Sequence, residues 1–281
     1  MYAGMIGTAS QRRSRFQEPD GGTGTPLREE SKVIKSFRAV LALALVWACS
    51  PSSQAAVYLS GDGNILDALD GSAGNPYYDA GNVQFFRNVL GAGSHVAVLQ
   101  NTSPLCCESF DEQVSAFYDS LPGVTATTIV GTVDAAALAG ANLFVSAIPD
   151  DAFSSAETAA LRSFVQAGGT VFFLGENEGF PANNAYINDA MAALGVDLRI
   201  AGSDDTGGYL SVGPANILAD PATAGVTSFT YAAGSVVAGG KPLVLNQAGN
   251  PEVAVSSVPL PGALIFALSG GMVLLPRSRK C

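Results

Sequence analysis

The chain has 281 residues, 48% of them hydrophobic, with 14 Lys and Arg against 24 Asp and Glu. That apolar fraction excludes a disordered chain and suits one large domain or two small ones. Charge is segregated: from Ala56 to Pro261 four basic residues face twenty acidic ones, a balance of about −16 that excludes binding driven by nucleic-acid phosphates or anionic lipid.

Residues 1–31 are polar, Gly-rich and without periodicity, and are expected to stand outside the fold, as an extension or an overextended start with the true start near Val33. Lys32, Lys35 and Arg38 then precede the apolar run Ala39–Ala48, and a polar stretch leads to Ser53-Gln54-Ala55-Ala56. A basic region, a short apolar core and a small-residue exit form the pattern of a secretory signal peptide. The run is too short to span a bilayer. The pattern places the signal at residues 32–55, with cleavage after Ala55 and Ala56 as the alternative; Sec export machinery and signal peptidase are the implied partners. Cys49 follows Val46-Trp47-Ala48, a poor lipoprotein box because Trp stands where a small residue is preferred.

From residue 56 to 257 short apolar runs alternate with amphipathic segments. Val57–Leu59 reads as a first strand, followed by a loop rich in Gly, Asp and Asn. Asn82–Leu90 reads as a helix with Val83, Phe86 and Leu90 on one face, stopped by Gly91 and Gly93. His95–Leu99 is a buried strand, Phe110–Leu121 a helix with Phe110, Val114, Phe117 and Leu121 in phase, and Val124–Val130 a β-branched strand. Leu143–Ile148 is a further strand, closed by Pro149. Ser154 and Glu157 stand at capping-box spacing before a helix with Leu161, Phe164 and Val165 on its apolar face. Gly168-Gly169 ends it, Thr170–Leu174 is a buried strand, and Asn183–Leu194 a second helix ending at Gly195. Residues 204–250 are Gly-rich and less regular, with Val212, Ile217, Phe229 and Leu243–Leu245 as candidate strands. Alternation of strand and helix with short connections implies a mostly parallel sheet with helices on both faces.

The run Leu143–Gly179 reads strand, Pro-Asp-Asp, capped helix, Gly-Gly, strand, Gly-Glu-Asn-Glu-Gly. In this order it resembles the class I glutamine amidotransferase-like fold and its non-enzymatic extracellular relatives. The resemblance implies an α/β body, flavodoxin-like in its sheet; the apolar runs at residues 39–48 and 262–275 are expected to add helical segments at both termini. In the enzymes the last of these strands leads into a nucleophile elbow, Gly-x-Cys-x-Gly; here Gly175 and Gly179 keep the glycines, and Asn177 stands in the nucleophile's place. An amide cannot form the thioester that chemistry needs. The lone His95 opens an early strand, whereas the family's catalytic histidine comes late. The resemblance therefore implies a body without amidotransferase activity and with no catalytic residues to assign.

Acidic residues offer other chemistry. Asp150, Asp151, Glu176 and Glu178, with Asn177, are expected at the carboxyl ends of neighbouring strands, where open α/β sheets form ligand crevices. Such carboxylates could attract Ca²⁺, cleave a glycosidic bond as acid and base, or cap helices as a solvated rim. Asp62-Gly63-Asn64 with Asp67 and Asp70 has the composition of a calcium loop but not EF-hand spacing, so no metal site is assigned. Tyr77-Tyr78 beside Pro76 reads as a sugar-stacking surface or as packing. Cys106 and Cys107 are adjacent, which suits neither a bridge framework nor a metal site.

Residues 258–281 begin Val258-Pro259-Leu260-Pro261, continue as an apolar segment to Leu275, and end in a cluster holding Arg277, Arg279 and Lys280. The apolar segment gives about 21 Å of helix at 1.5 Å per residue, short of the roughly 30 Å hydrocarbon core. It suits a temporary stop in export, with the basic cluster held on the cytoplasmic side. Motif, spacing and position resemble the PEP-CTERM class of sorting tails, in its Val-Pro-Leu-Pro variant, although Pro276 and Cys281 interrupt the usual basic run. The resemblance implies recognition by an exosortase-type membrane transpeptidase and transfer to the outer surface or extracellular matrix. Two other readings stand beside it. One is an envelope protein that binds or acts on extracellular polysaccharide through the acidic rim; the other is a protein that keeps its C-terminal anchor unprocessed.

Overall fold

Seven segments pair into one sheet, whose central strands are rich in β-branched and aromatic residues buried on both faces, while the edge strand Thr125–Ile129 is mostly exposed. The computed structural model describes residues 55–101, 110–204 and 207–258. In chain order the strands are β1 (Ala55–Ser60), β2 (His95–Leu99), β3 (Thr125–Ile129), β4 (Leu143–Ala147), β5 (Thr170–Leu174), β6 (Arg199–Asp204), β7 (Leu210–Val212), β8 (Phe229–Tyr231), β9 (Gly234–Ala238), β10 (Lys241–Leu245) and β11 (Pro251–Val258). The α-helices are α1 (Ala80–Leu90), α2 (Phe110–Asp119), α3 (Ser155–Gln166) and α4 (Pro181–Leu194).

The main sheet has the order β10-β11-β1-β5-β4-β2-β3. The five strands from β1 to β3 are parallel, and β11 and β10 extend the sheet antiparallel beyond β1. The fold is thus mixed α/β around a mostly parallel sheet, as the alternation of runs implies. Two antiparallel ribbons, β6 with β9 and β7 with β8, come from the Gly-rich C-terminal region. Among the described residues no helix is long and apolar enough to cross a membrane. The signal core, the Cys106-Cys107 pair, Pro259–Pro261 and the basic cluster at Arg277, Arg279 and Lys280 lie outside the described residues.

Strand alternation builds two cores, one on each face. In β5, Phe172 and Leu174 join the cluster with Phe85, Phe86, Phe110, Val114 and Phe117 of α1 and α2. Val171 and Phe173 point the other way, to Leu161 and Val165 of α3 and Ile187 and Met191 of α4. The apolar stripe of α1 is wider than Val83, Phe86 and Leu90 suggest. Phe85 and Val89 are buried as well, because β8 covers the helix flank through Phe229.

Local signals set the helix ends. Ser154 Oγ accepts from Glu157 N–H at 3.3 Å, and the Glu157 carboxylate accepts from Ser154 N–H at 2.8 Å, the reciprocal cap expected of the pair. Glu157 also accepts from Val133 N–H at 3.0 Å, tying the β3–β4 connection to the start of α3. Ser154→Ala is expected to lower the unfolding free energy by about 1 kcal/mol in a urea titration. A change below about 0.3 kcal/mol would mean that Glu157 holds the turn alone. At the end of α4, Gly195 takes the left-handed conformation, φ 78°, that releases the chain toward β6.

Candidate functional site

At the carboxyl edge of the parallel strands, Asp62 follows β1 and Glu176 follows β5. β1 and β5 are hydrogen-bonded neighbours, with Ser60 opposite Leu174, so two acids far apart in sequence come together. Asn64 Nδ2 bridges them, donating to Asp62 Oδ1 at 2.8 Å and to Glu176 Oε2 at 3.1 Å. Asn177 donates to Glu176 Oε1 twice, from its backbone N–H at 3.0 Å and from Nδ2 at 2.9 Å. Ala232 N–H donates to Asp62 Oδ2 at 2.6 Å. Asp62 is 0% exposed and Glu176 2%.

A carboxyl withdrawn from water resists ionisation. Burial first, and the nearby Asp62 charge second, push Glu176 up to about 8. Burial also pushes Asp62 up, against the hydrogen bonds from Ala232 and Asn64. Both carboxyls are thus shifted toward their protonated forms, and Asn64 and Asn177 orient them.

The chain closes this edge with its own backbone. Ser235 N–H donates to the Gly61 carbonyl at 2.8 Å, Ser235 Oγ to the Glu176 carbonyl at 2.8 Å, and Asn177 Nδ2 to the Ala233 carbonyl at 3.2 Å. A Cβ on Gly61 would lie 1.6 Å from the Ser235 carbonyl oxygen, so glycine is what lets the β8–β9 segment descend onto the end of β1. At Gly234 a Cβ would meet Asp62 Cβ at 2.6 Å and Glu252 Oε1 at 2.8 Å, which places a third buried acid at the same wall. The position where a ligand would stand over β1 and β5 is therefore occupied by residues 232–235.

The sharp elbow expected at Gly175–Gly179 does not form. Residues 175–180 make an open loop between β5 and α4, and Asn177 has no left-handed backbone. Its Oδ1 accepts from Gly179 N–H at 2.8 Å while its amide holds Glu176, a local turn that engages both ends of the side chain. Gly175 instead serves packing, since a Cβ there would lie 2.1 Å from Ile200 Cδ1.

The five residues expected to share one acidic crevice are separated. Glu176 is buried in the pair just described and Asn177 is half-buried beside it, while Glu178 is exposed. Asp150 and Asp151 instead line a cleft of about 260 Å³ with Thr132, Phe153 and Glu157. Burial decides this division: the backbone of residues 232–235 covers Glu176 at the end of β5, while Asp150 and Asp151, beyond the buried end of β4, reach the cleft. Ile148, just before this cleft, has φ 45°, a strained conformation for a β-branched side chain.

Asp62, Asp67 and Asp70 do not converge as a calcium loop. Asp62 faces Glu176, Asp67 accepts from Gln113 Nε2 at 3.0 Å and from the Tyr209 hydroxyl, and Asp70 is bonded to Ser72. Among the described residues no group of three His, Cys, Asp or Glu side chains is placed to hold a metal ion. His95 Nε2 pairs with Thr127 Oγ1 at 2.9 Å across β2 and β3. Sequence reasoning missed Glu252 and the clamp made by Ala232, Ala233 and Ser235, none of which carries a local motif. Ala55 and Val258, at the two expected processing points, lie opposite each other in the β1–β11 pair.

Comparison with curated proteins found no match. Among solved structures, the mmIFT52 N-terminal domain is similar at 10% identity and a TM-score of 0.42, over 66% of this chain and 100% of that one. Residues 111–275 match the family described as Domain of unknown function (DUF4350). That match spans more than half of the chain, which therefore belongs to the DUF4350 family.

Proposed function

We propose that this chain is an exported protein of the bacterial envelope, outer surface or extracellular matrix, processed at both ends, with a non-catalytic body of the flavodoxin-like, class I glutamine amidotransferase-like kind. The observation that carries the proposal is the pair of terminal signals: a basic-flanked apolar run exiting at Ala55-Ala56, and a Val258-Pro-Leu-Pro261 motif with its apolar segment and basic stop. Signal peptidase, the Sec machinery and an exosortase-type transpeptidase are its partners in this reading. The two expected processing points are the ends of a paired β1 and β11 in the folded body. Ala55 is fully buried and paired with Val258, so cleavage at Ala55 acts on a chain not yet folded, as export in extended form requires. The non-catalytic reading is supported by the open 175–180 loop, which carries no thiol or hydroxyl nucleophile, and by the backbone cover over Asp62 and Glu176.

Mass spectrometry of the protein from cells with an active exosortase tests this directly. The expected mature chain starts at Ala56 or Val57 and ends near the Val258–Pro261 motif. A chain whose C-terminus runs intact through Cys281 overturns the processing step and selects the unprocessed, membrane-anchored alternative.

A further inference from the structure

We infer that the cavity between the 3₁₀ turn Asn64–Leu69 and α2 is a binding site for neutral oligosaccharide, with Tyr77 as its stacking platform. This goes beyond the proposed export and processing and does not depend on it.

The cavity holds about 810 Å³, within the range of sites that enclose a ligand of several rings. Its floor is apolar, with Leu66, Leu69 and Phe117, and its rim carries the carboxylates of Asp70 and Glu112. A sugar presents the matching surfaces: C–H faces that lie against apolar and aromatic groups, and hydroxyls that donate to carboxylates.

Tyr77 is 39% exposed and lines this cavity. An aromatic ring in a Gly-rich loop would ordinarily be mobile, but this one is held. Tyr209 stacks on it, with ring centroids 3.6 Å apart and planes 18° from parallel. The Tyr209 hydroxyl donates to Asp67, which also accepts from Gln113 Nε2 at 3.0 Å. Asn75 fixes the loop beneath, donating to the Asp67 and Asp70 carbonyls at 2.8 Å each and accepting from Tyr77 N–H at 2.9 Å. The chain thus orders an exposed ring before any ligand arrives, which lowers the entropy lost on binding.

Charge selects among sugars. The cavity lining includes Asp67, Asp70 and Glu112 and no Lys or Arg, so uronate, sulfate and phosphate groups are repelled. Neutral units remain.

The test is equilibrium titration of the full chain, held in a zwitterionic detergent without a sugar headgroup. The probes are malto-, cello-, manno- and chito-oligosaccharides, with an oligogalacturonate as the anionic comparison. At least one neutral probe is expected to saturate. Its affinity should fall about tenfold or more in Tyr77→Ala, the loss of one aromatic stacking contact. Ala116→Arg, which places a long side chain from the exposed face of α2 into the cavity, should abolish binding with an unchanged melting curve. Tyr78→Ala, 47% exposed and outside the lining, should leave it intact. The inference is overturned if no neutral probe binds more tightly than about 10 mM, if the anionic probe binds best, or if Tyr77→Ala and Ala116→Arg both bind like the parent chain.

Discussion

Raising the pH from 5 to 8 is expected to lower the melting temperature of the parent protein by about 5–10 °C more than that of Glu176→Gln. Glu176 in the folded protein is pushed from an ordinary value of 4.5 up to about 8, by burial first and the Asp62 charge second. The unfolded chain therefore releases its proton first, as pH rises past the ordinary glutamate range, while the folded chain keeps it. Between those two values the folded state binds more protons than the unfolded one, so stability falls as pH rises. The contribution of the protonated carboxyl is fully present below about pH 4.5 and is lost as pH climbs through about 8. Each unit of raised pKa corresponds to about 1.4 kcal/mol, so the loss is on the order of a few kcal/mol. Glutamine stays neutral, keeps an oxygen for the Asn177 donors and leaves Asp62 without a charged neighbour. Asp62 and Asp111, also raised by burial, contribute slopes of the same sign in both proteins. Calorimetry of the two proteins at matched ionic strength measures the difference. Parallel pH profiles would show that water reaches Glu176 and that residues 232–235 do not seal the edge.

Phe85→Ala is expected to cost about 4 kcal/mol of unfolding free energy, a large part of the 5–15 kcal/mol typical of a domain. Phe85 is fully buried in α1, with ring centroids of Phe229, Phe86, Phe172 and Tyr58 at 5.5, 5.7, 6.0 and 6.4 Å, all but edge-on. It therefore ties the parallel sheet, the helix layer and the C-terminal ribbon into one core. Removing the ring loses its burial and several edge-to-face contacts, and leaves a cavity that four rigid neighbours cannot collapse into. Val130→Ala, at a side chain 72% exposed, should change stability by no more than about 0.5 kcal/mol. Chemical denaturation reads both. A loss below about 2 kcal/mol at Phe85 would mean that the β8 ribbon is not packed on α1 as described.

The helices and parallel strands were legible in the sequence because their signals are local. The Ser154–Glu157 cap, the Gly168-Gly169 and Gly195 stops, and the apolar phase of Phe110, Val114 and Phe117 each act within a few residues. β9 and β11 were not legible. β11 opens on Pro251 and carries the buried Glu252, and Gly234–Ala238 follows a Gly-rich stretch, so neither shows a strand pattern alone. Both exist because neighbouring strands supply hydrogen bonds and cover, which is a tertiary condition.

The candidate site divides the same way. The sequence by itself determined the charge segregation, the alternation of strand and helix, the helix caps, and the absence of a thiol at position 177. Tertiary structure alone decided that Asp62 belongs with Glu176 rather than with Asp67 and Asp70, because that partnership follows from β1 lying beside β5. It also decided that Glu176 is buried while Glu178, two residues on, meets water, and that Tyr77 is held by a tyrosine from a distant loop. Capping, turn chemistry and periodicity act over a few bonds, whereas burial of a charge depends on which segments fold over it. That depends on strand order, which no local pattern contains.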